Sequence, residues 1–132
     1  MDDKIQNHEM LYRAIKRSKP DWLDDSGQPT SYMFKDELGN SVDRDDGRTL
    51  DEIVGFMDSG VFKRRLKGVV ELNAGTCVEI GASVKADASE SNPYHANIFI
   101  DEDEKIGNLQ ALMLADASKV VYLNPLMKWV II

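Results

Sequence analysis

Three short stretches of this 132-residue chain hold residue types that can move protons or bind anions. The first, Ser41-Val42-Asp43-Arg44-Asp45-Asp46-Gly47-Arg48, places three carboxylates and two guanidiniums in eight residues. An arginine fork takes phosphate or carboxylate, and paired Asp side chains can orient a base or ligate a divalent cation. The bland alternative is a solvated turn with internal ion pairs. The second stretch is Asn92-Pro93-Tyr94-His95-Ala96-Asn97, where a proline-fixed turn delivers His95 to the start of a strand. Imidazole works as acid, base or ligand near neutral pH, against the alternative of a structural histidine with satisfied hydrogen bonds. The third is Tyr12-Arg13, an arginine among apolar neighbours, where an unpaired charge is costly. Its simplest partner is a carboxylate such as Asp43 or Glu79, and its functional use is an anion clamp, with hydroxyls from Ser31 or Ser41. Together these give an expected site. Asp43 and His95 form the acid–base pair, with Asp43 fixing the imidazole tautomer. Arg13 and Arg44 hold an anion, and Ser41 and Asn92 support them.

Metal chemistry and cofactors are not expected. The calcium-loop pattern D-x-[DN]-x-[DN]-G fails around Asp43 in either register, because Gly47 or Arg44 falls on a ligand position. The acidic run 101–104 fails as well, with Lys105 and Ile106 at the ligand and glycine positions, and is expected to be a solvated turn. The single cysteine, Cys77, rules out an internal disulfide and reads as a buried core thiol. A two-histidine site would need His8, in a terminus expected to fray over residues 1–8.

Net charge is −7, so nucleic acid is not the expected partner; an acidic balance by itself mostly keeps a protein soluble, and its sharper reading is a protein partner with a basic surface. The basic patch Lys63-Arg64-Arg65-Leu66-Lys67 has Phe62 alone beside it, and without interleaved aromatics it reads as a solvated helix exit. The chain opens on acids rather than a basic segment followed by an apolar one, and no run approaches the ~20 apolar residues of a membrane span. The expected location is cytoplasmic.

A single domain over residues 1–132 is expected from the length. Met10–Ile15 alternates as a strand, with Leu11, Arg13 and Ile15 on one face and Tyr12 and Ala14 on the other, though it could instead close a short helix begun near Gln6. Pro20, Gly27 and Pro29 punctuate a loop anchored by Trp22. A turn at 38–40 leads to a short strand at Ser41–Asp43. Thr49 and Glu52 form a capping box, opening a helix whose face is Leu50, Ile53, Val54 and Met57 and whose end is a left-handed Gly60. Strands follow at 68–72 and 77–84, joined by an Asn73-Ala74-Gly75 turn, then at 94–100 and 120–123. A second helix, about 107–118, is expected from the helical spacing of Leu109, Leu112, Met113 and Ala117 or Asp116, with Asn108 as its cap. Trp129 begins a final β-rich segment. The fold class is α+β, a mixed or mainly antiparallel sheet with two covering helices, about 49–60 and 107–118.

The order Leu11-Tyr12-Arg13, Ser31 with Phe34, Ser41-Val42-Asp43-Arg44 and Asn92-Pro93-Tyr94-His95-Ala96-Asn97-Ile98 resembles a family of small bacterial proteins of no settled activity, over roughly residues 10–122. The resemblance implies a bacterial cytosolic setting, and that Arg13, Asp43, Arg44, Asn92 and His95 belong together. Tyr12-Arg13, Ser31-Tyr32 and Glu79 as an acid are similar, more loosely, to small ADP-ribosyltransferase-like domains. The expected function is a protein-interaction component of a toxin–immunity or phage-defence system. The alternative is a nucleotide- or anion-binding enzyme, ADP-ribosyltransferase-like or an acid–base hydrolase, using Arg13, Asp43, Arg44 and His95.

Overall fold

The computed structural model describes residues 4–35, 39–61, 65–99, 107–126 and 128–129. The runs at 63–64 and 101–104, Leu38 and the segment after Trp129 lie outside the described residues. Strands β1 (Met10–Lys16), β2 (Asn40–Arg44), β3 (Leu66–Asn73), β4 (Ser83–Ala86), β5 (His95–Phe99) and β6 (Lys119–Leu123) form one sheet in the order β4-β5-β2-β1-β3-β6. Every neighbouring pair is antiparallel. The α+β class with an antiparallel sheet is what alternation and turn spacing imply. No helix among the described residues is long and apolar enough to cross a membrane.

Alternation along β1 divides the core. Leu11 and Ile15 pack with Val42, Val70, Leu72, Ala96 and Ile98 beneath the segments on one face. Tyr12 and Ala14 pack with Ile53, Met57, Leu66 and Val69 on the other. The latter face is covered by α1 (Leu50–Phe56), which starts at the capping box: Thr49 Oγ1 accepts from Glu52 N, and Glu52 Oε1 from Thr49 N. Its end differs from expectation. The helix runs into a π-helical turn over Met57–Val61, and Gly60 is not among the left-handed glycines. Widening the last turn keeps Met57 on the buried side, almost fully enclosed.

Two further expectations are corrected. Cys77–Val84 is not one strand: α2 (Ala74–Ile80) occupies its first half, and only β4 is extended. Asn73 caps that helix by accepting from Thr76 N at 3.1 Å, and Gly81 closes it at φ +99°, a conformation that costs a side-chain-bearing residue about 1–2 kcal/mol. Ala74 and Cys77, three residues apart, are its buried positions. At α2, Gly75 donates to Asn7 O at 2.8 Å, so part of the stretch expected to fray runs along this helix start, and Ile5 packs against the core.

The other correction concerns α3 (Asn108–Ala117). Gly107 rather than Asn108 stands at its N-cap, and the buried residues are Ala111, Leu114 and Ala115. Leu109, Leu112 and Met113 face outward. Small residues let the helix lie close on a 3-10 turn over Ser31–Phe34, whose Met33 and Phe34 are fully buried.

Candidate active site

Strand register sets the site. Tyr12 lies opposite Asp43 and Glu71, and Asp43 lies opposite His95. Directly opposed residues share a face, so Glu71, Tyr12, Asp43 and His95 make a polar row across four strands on the α1 side. Arg44 N donates to Tyr94 O at 2.9 Å, so the ladder bonds flank Asp43 and His95 rather than join them. That is the kind of antiparallel pair whose side chains sit closest.

The row ends in a cleft. β1 and β2 share only the pairs Leu11–Arg44 and Tyr12–Asp43, whereas β2 and β5 share four. Beyond Tyr12 and Asp43 the sheet splits, and a cavity of about 610 Å³ opens there. Tyr12, Asp43, Asn92 and His95 line one part, with Lys16, Lys19, Trp22, Tyr32 and Lys35 among the other lining residues. A volume of this order suits a small ligand.

Asp43 is 5% exposed. Its Oδ1 accepts from Asn92 Nδ2 at 2.8 Å, while Oδ2 is enclosed with no hydrogen-bond partner. Burial pushes its pKa up, against the Asn92 hydrogen bond and the charges of Arg48 and His95, which pull it down. Asn92 is fixed by the turn before β5: its N donates to Ser89 Oγ at 3.1 Å, and its Oδ1 accepts from Tyr94 N at 3.1 Å. Tyr12 donates to Glu71 Oε2 at 3.0 Å, and burial together with that bond pushes its pKa to about 12. It therefore remains a proton donor at physiological pH.

His95 is oriented by a residue that the sequence reading overlooked. Its Nδ1 lies 3.1 Å from Asp87 O and 3.3 Å from Asp87 Oδ2, and Asn97 Nδ2 holds that carboxylate at 3.2 Å. Both partners of Nδ1 are acceptors, so the proton belongs on Nδ1 and the lone pair of neutral imidazole on Nε2. Asp87, not Asp43, sets the tautomer. The available signal was its place at a strand exit: Asp87 N donates to His95 O, extending the β4–β5 ladder by one residue.

The arginines are placed differently. Arg44 follows Asp43 on the same strand and so points to the opposite face, where it forms a two-pronged ion pair with Glu9 (Nε–Oε2 3.0 Å, Nη2–Oε1 2.8 Å). Arg13 also belongs to that face, but its guanidinium spans the split, donating to Met33 O at 2.8 Å and Ser41 O at 2.7 Å beneath the Trp22 ring. Ser41 thus contributes its carbonyl to Arg13 rather than a hydroxyl to an anion. Glu79 is exposed on α2. No group of three or more His, Cys, Asp or Glu placed to hold a metal occurs among the described residues.

The constellation pairs a buried carboxyl of raised pKa with an imidazole of fixed tautomer in one cleft. That combination can donate a proton on one side of a bound molecule and remove one on the other. Comparison with protein-family models, with curated proteins and with solved structures finds no match for this chain, so the two resemblances rest on the residues quoted for them.

Proposed function

We propose that this protein is an anion- or nucleotide-binding enzyme of acid–base type, acting on a small molecule in the split between β1 and β2. The supporting observation is Asp43. It is a nearly enclosed carboxyl with one unpartnered oxygen, set beside His95 and lining a ligand-sized cleft. Retaining such a group costs stability, and sites of this kind are where proteins accept that cost. His95 Nε2 serves as base, the Asp43 carboxyl, which burial favours in its protonated form, as acid, and Asp87, Asn92 and Asn97 are positioning residues.

The test is a thermal-shift screen of nucleotides, sugar phosphates and carboxylates on the wild type, H95Q and D43N, with NMR detection of turnover for every hit. A compound that stabilises the wild type should be turned over by it and not by H95Q, while H95Q melts within about 2 °C of wild type, as expected for a residue not in the core. Undiminished turnover in H95Q overturns the proposal.

A second reading, a protein-interaction component of a toxin–immunity or phage-defence system, draws support from Leu109, Leu112 and Met113, which are 65%, 47% and 41% exposed along α3. Apolar side chains grouped on one helix suit a protein partner. Pull-down with the proteins of neighbouring genes, compared with L109D/L112D, tests it; a monomer that retains none of them counts against it.

A further inference from the structure

Resting on the acid–base reading, we infer that the substrate is a phosphomonoester gripped by Lys16, Lys19 and Lys35, and that its reacting bond lies away from the phosphate.

The first support is a reversal of sign. The chain as a whole is at −7, yet the described residues lining the cleft include Arg13, Lys16, Lys19 and Lys35 against Asp43 as the one carboxylate. A cleft opposite in charge to its protein concentrates anions locally. The Arg13 guanidinium donates to two backbone carbonyls, and Lys16, Lys19 and Lys35 are all exposed at the rim.

The second support is spacing. Tyr12 lies opposite Asp43, and Lys16 is four residues further along β1, about 13 Å at ~3.3 Å per residue. Lys19 follows beyond the strand. A lysine ammonium reaches back over part of that distance, but an anion held at Lys16 and Lys19 remains well outside the 2.6–3.2 Å needed for proton transfer with Asp43 or His95. The phosphate is then a handle. Its binding energy positions a more distant part of the molecule against the acid–base pair. Tyr32 stands at the same rim, 58% exposed, with the Lys35 ammonium 4.8 Å over its ring. An exposed ring at that point offers a stacking surface if the ester carries a base, so nucleoside monophosphates and sugar phosphates are the two sources to separate.

Calorimetric titration with inorganic phosphate, ribose 5-phosphate, adenosine 5′-monophosphate and adenosine, on the wild type, K16Q/K19Q, Y32A and H95Q, tests this. At least one of the two esters should bind tenfold or more tighter than inorganic phosphate and adenosine. K16Q/K19Q should weaken that ester tenfold or more, and H95Q should leave its affinity within about threefold. Y32A should weaken the nucleotide selectively if the ester carries a base, and leave it unchanged if the natural source is a sugar phosphate. Equal binding of adenosine, or an unchanged affinity in K16Q/K19Q, overturns the handle. The acid–base reading fails separately, through undiminished turnover in H95Q.

Discussion

Replacing Asp43 by asparagine keeps the shape and removes the charge. In the folded chain the Asp43 carboxyl holds its proton to higher pH than in the unfolded chain, because burial penalises the ionised form. Folding therefore takes up a proton in the window between the ordinary value of 3.8 and the raised one, and the wild type loses stability as pH rises through that window. Each unit of that rise corresponds to about 1.4 kcal/mol at neutral pH. Asparagine does not pay this. Its amide can still accept from Asn92 through Oδ1, but its Nδ2 replaces an oxygen that has no partner, and an enclosed unpartnered N–H group costs about 1–3 kcal/mol.

Those two effects oppose each other in absolute stability, and pH separates them. The unpartnered amide is pH-independent, whereas the carboxylate penalty vanishes once both states of the wild type are protonated. Stability of D43N relative to wild type should therefore improve as pH rises from below the ordinary value of 3.8 to 7.5, by about 1.4 kcal/mol for each unit by which burial raises the carboxyl, each kcal/mol moving the melting temperature by roughly 3–5 °C for a chain of this length. Denaturant unfolding of both proteins across that pH range is the assay. A difference that stays flat with pH, or that moves against D43N as pH rises, would show that Asp43 is not held as a desolvated carboxyl and would remove the acid from the proposed pair.

Two other perturbations probe the opposite face of the sheet. Glu9 is held below the usual carboxylate range, first by its hydrogen bond from Arg44, so its contribution is present above the ordinary value of 4.5 and is lost as pH falls through the depressed one. E9A leaves Arg44, 4% exposed, without that partner and should cost about 2–3 kcal/mol in urea unfolding, below the 3–5 of a wholly enclosed pair because the Glu9 side chain is 13% exposed; a cost under 0.5 kcal/mol would mean the pair is not formed in solution. The Cys77 thiol, enclosed and pushed by burial up to about 12, should react with a thiol-specific reagent only at the rate of unfolding, and fast labelling of the native protein would contradict its place under α2.

Local signals in the sequence were legible where residues a few positions apart decide the structure. The Leu11-Arg13-Ile15 alternation gave the two faces of β1, and Thr49 with Glu52 gave the start of α1. α2 was missed although its ends were marked, by Asn73 as cap and Gly81 as exit, because the Asn-Ala-Gly and Val-Glu-Ile-Gly segments read equally as a turn and a strand. In α3 the size of side chains misled: the large residues face outward because alanines permit a closer approach to the Ser31–Phe34 turn. Asp43 and His95 are 52 positions apart, and no local pattern fixes the register that opposes them. The separation of Asp43 from Arg44 was legible, since consecutive residues of a strand face opposite sides and cannot both point into one cleft. Asp87 was hidden in a polar loop whose first residue extends a ladder.

Arg13 connects the fold to the site. A sheet that splits beside Asp43 leaves carbonyls of β2 without the ladder partners that a longer β1–β2 pairing would supply, and enclosed carbonyls without donors are costly. Arg13 supplies donors to Ser41 O and Met33 O across the opening, and its planar group lies against Trp22 and Phe34. The buried arginine that seemed to need a carboxylate takes backbone carbonyls instead. A positively charged fork suits that task because it offers several fixed N–H donors and no acceptor. The residue that looked like an anion clamp is, on this geometry, the wedge that lets a cleft exist within a sheet.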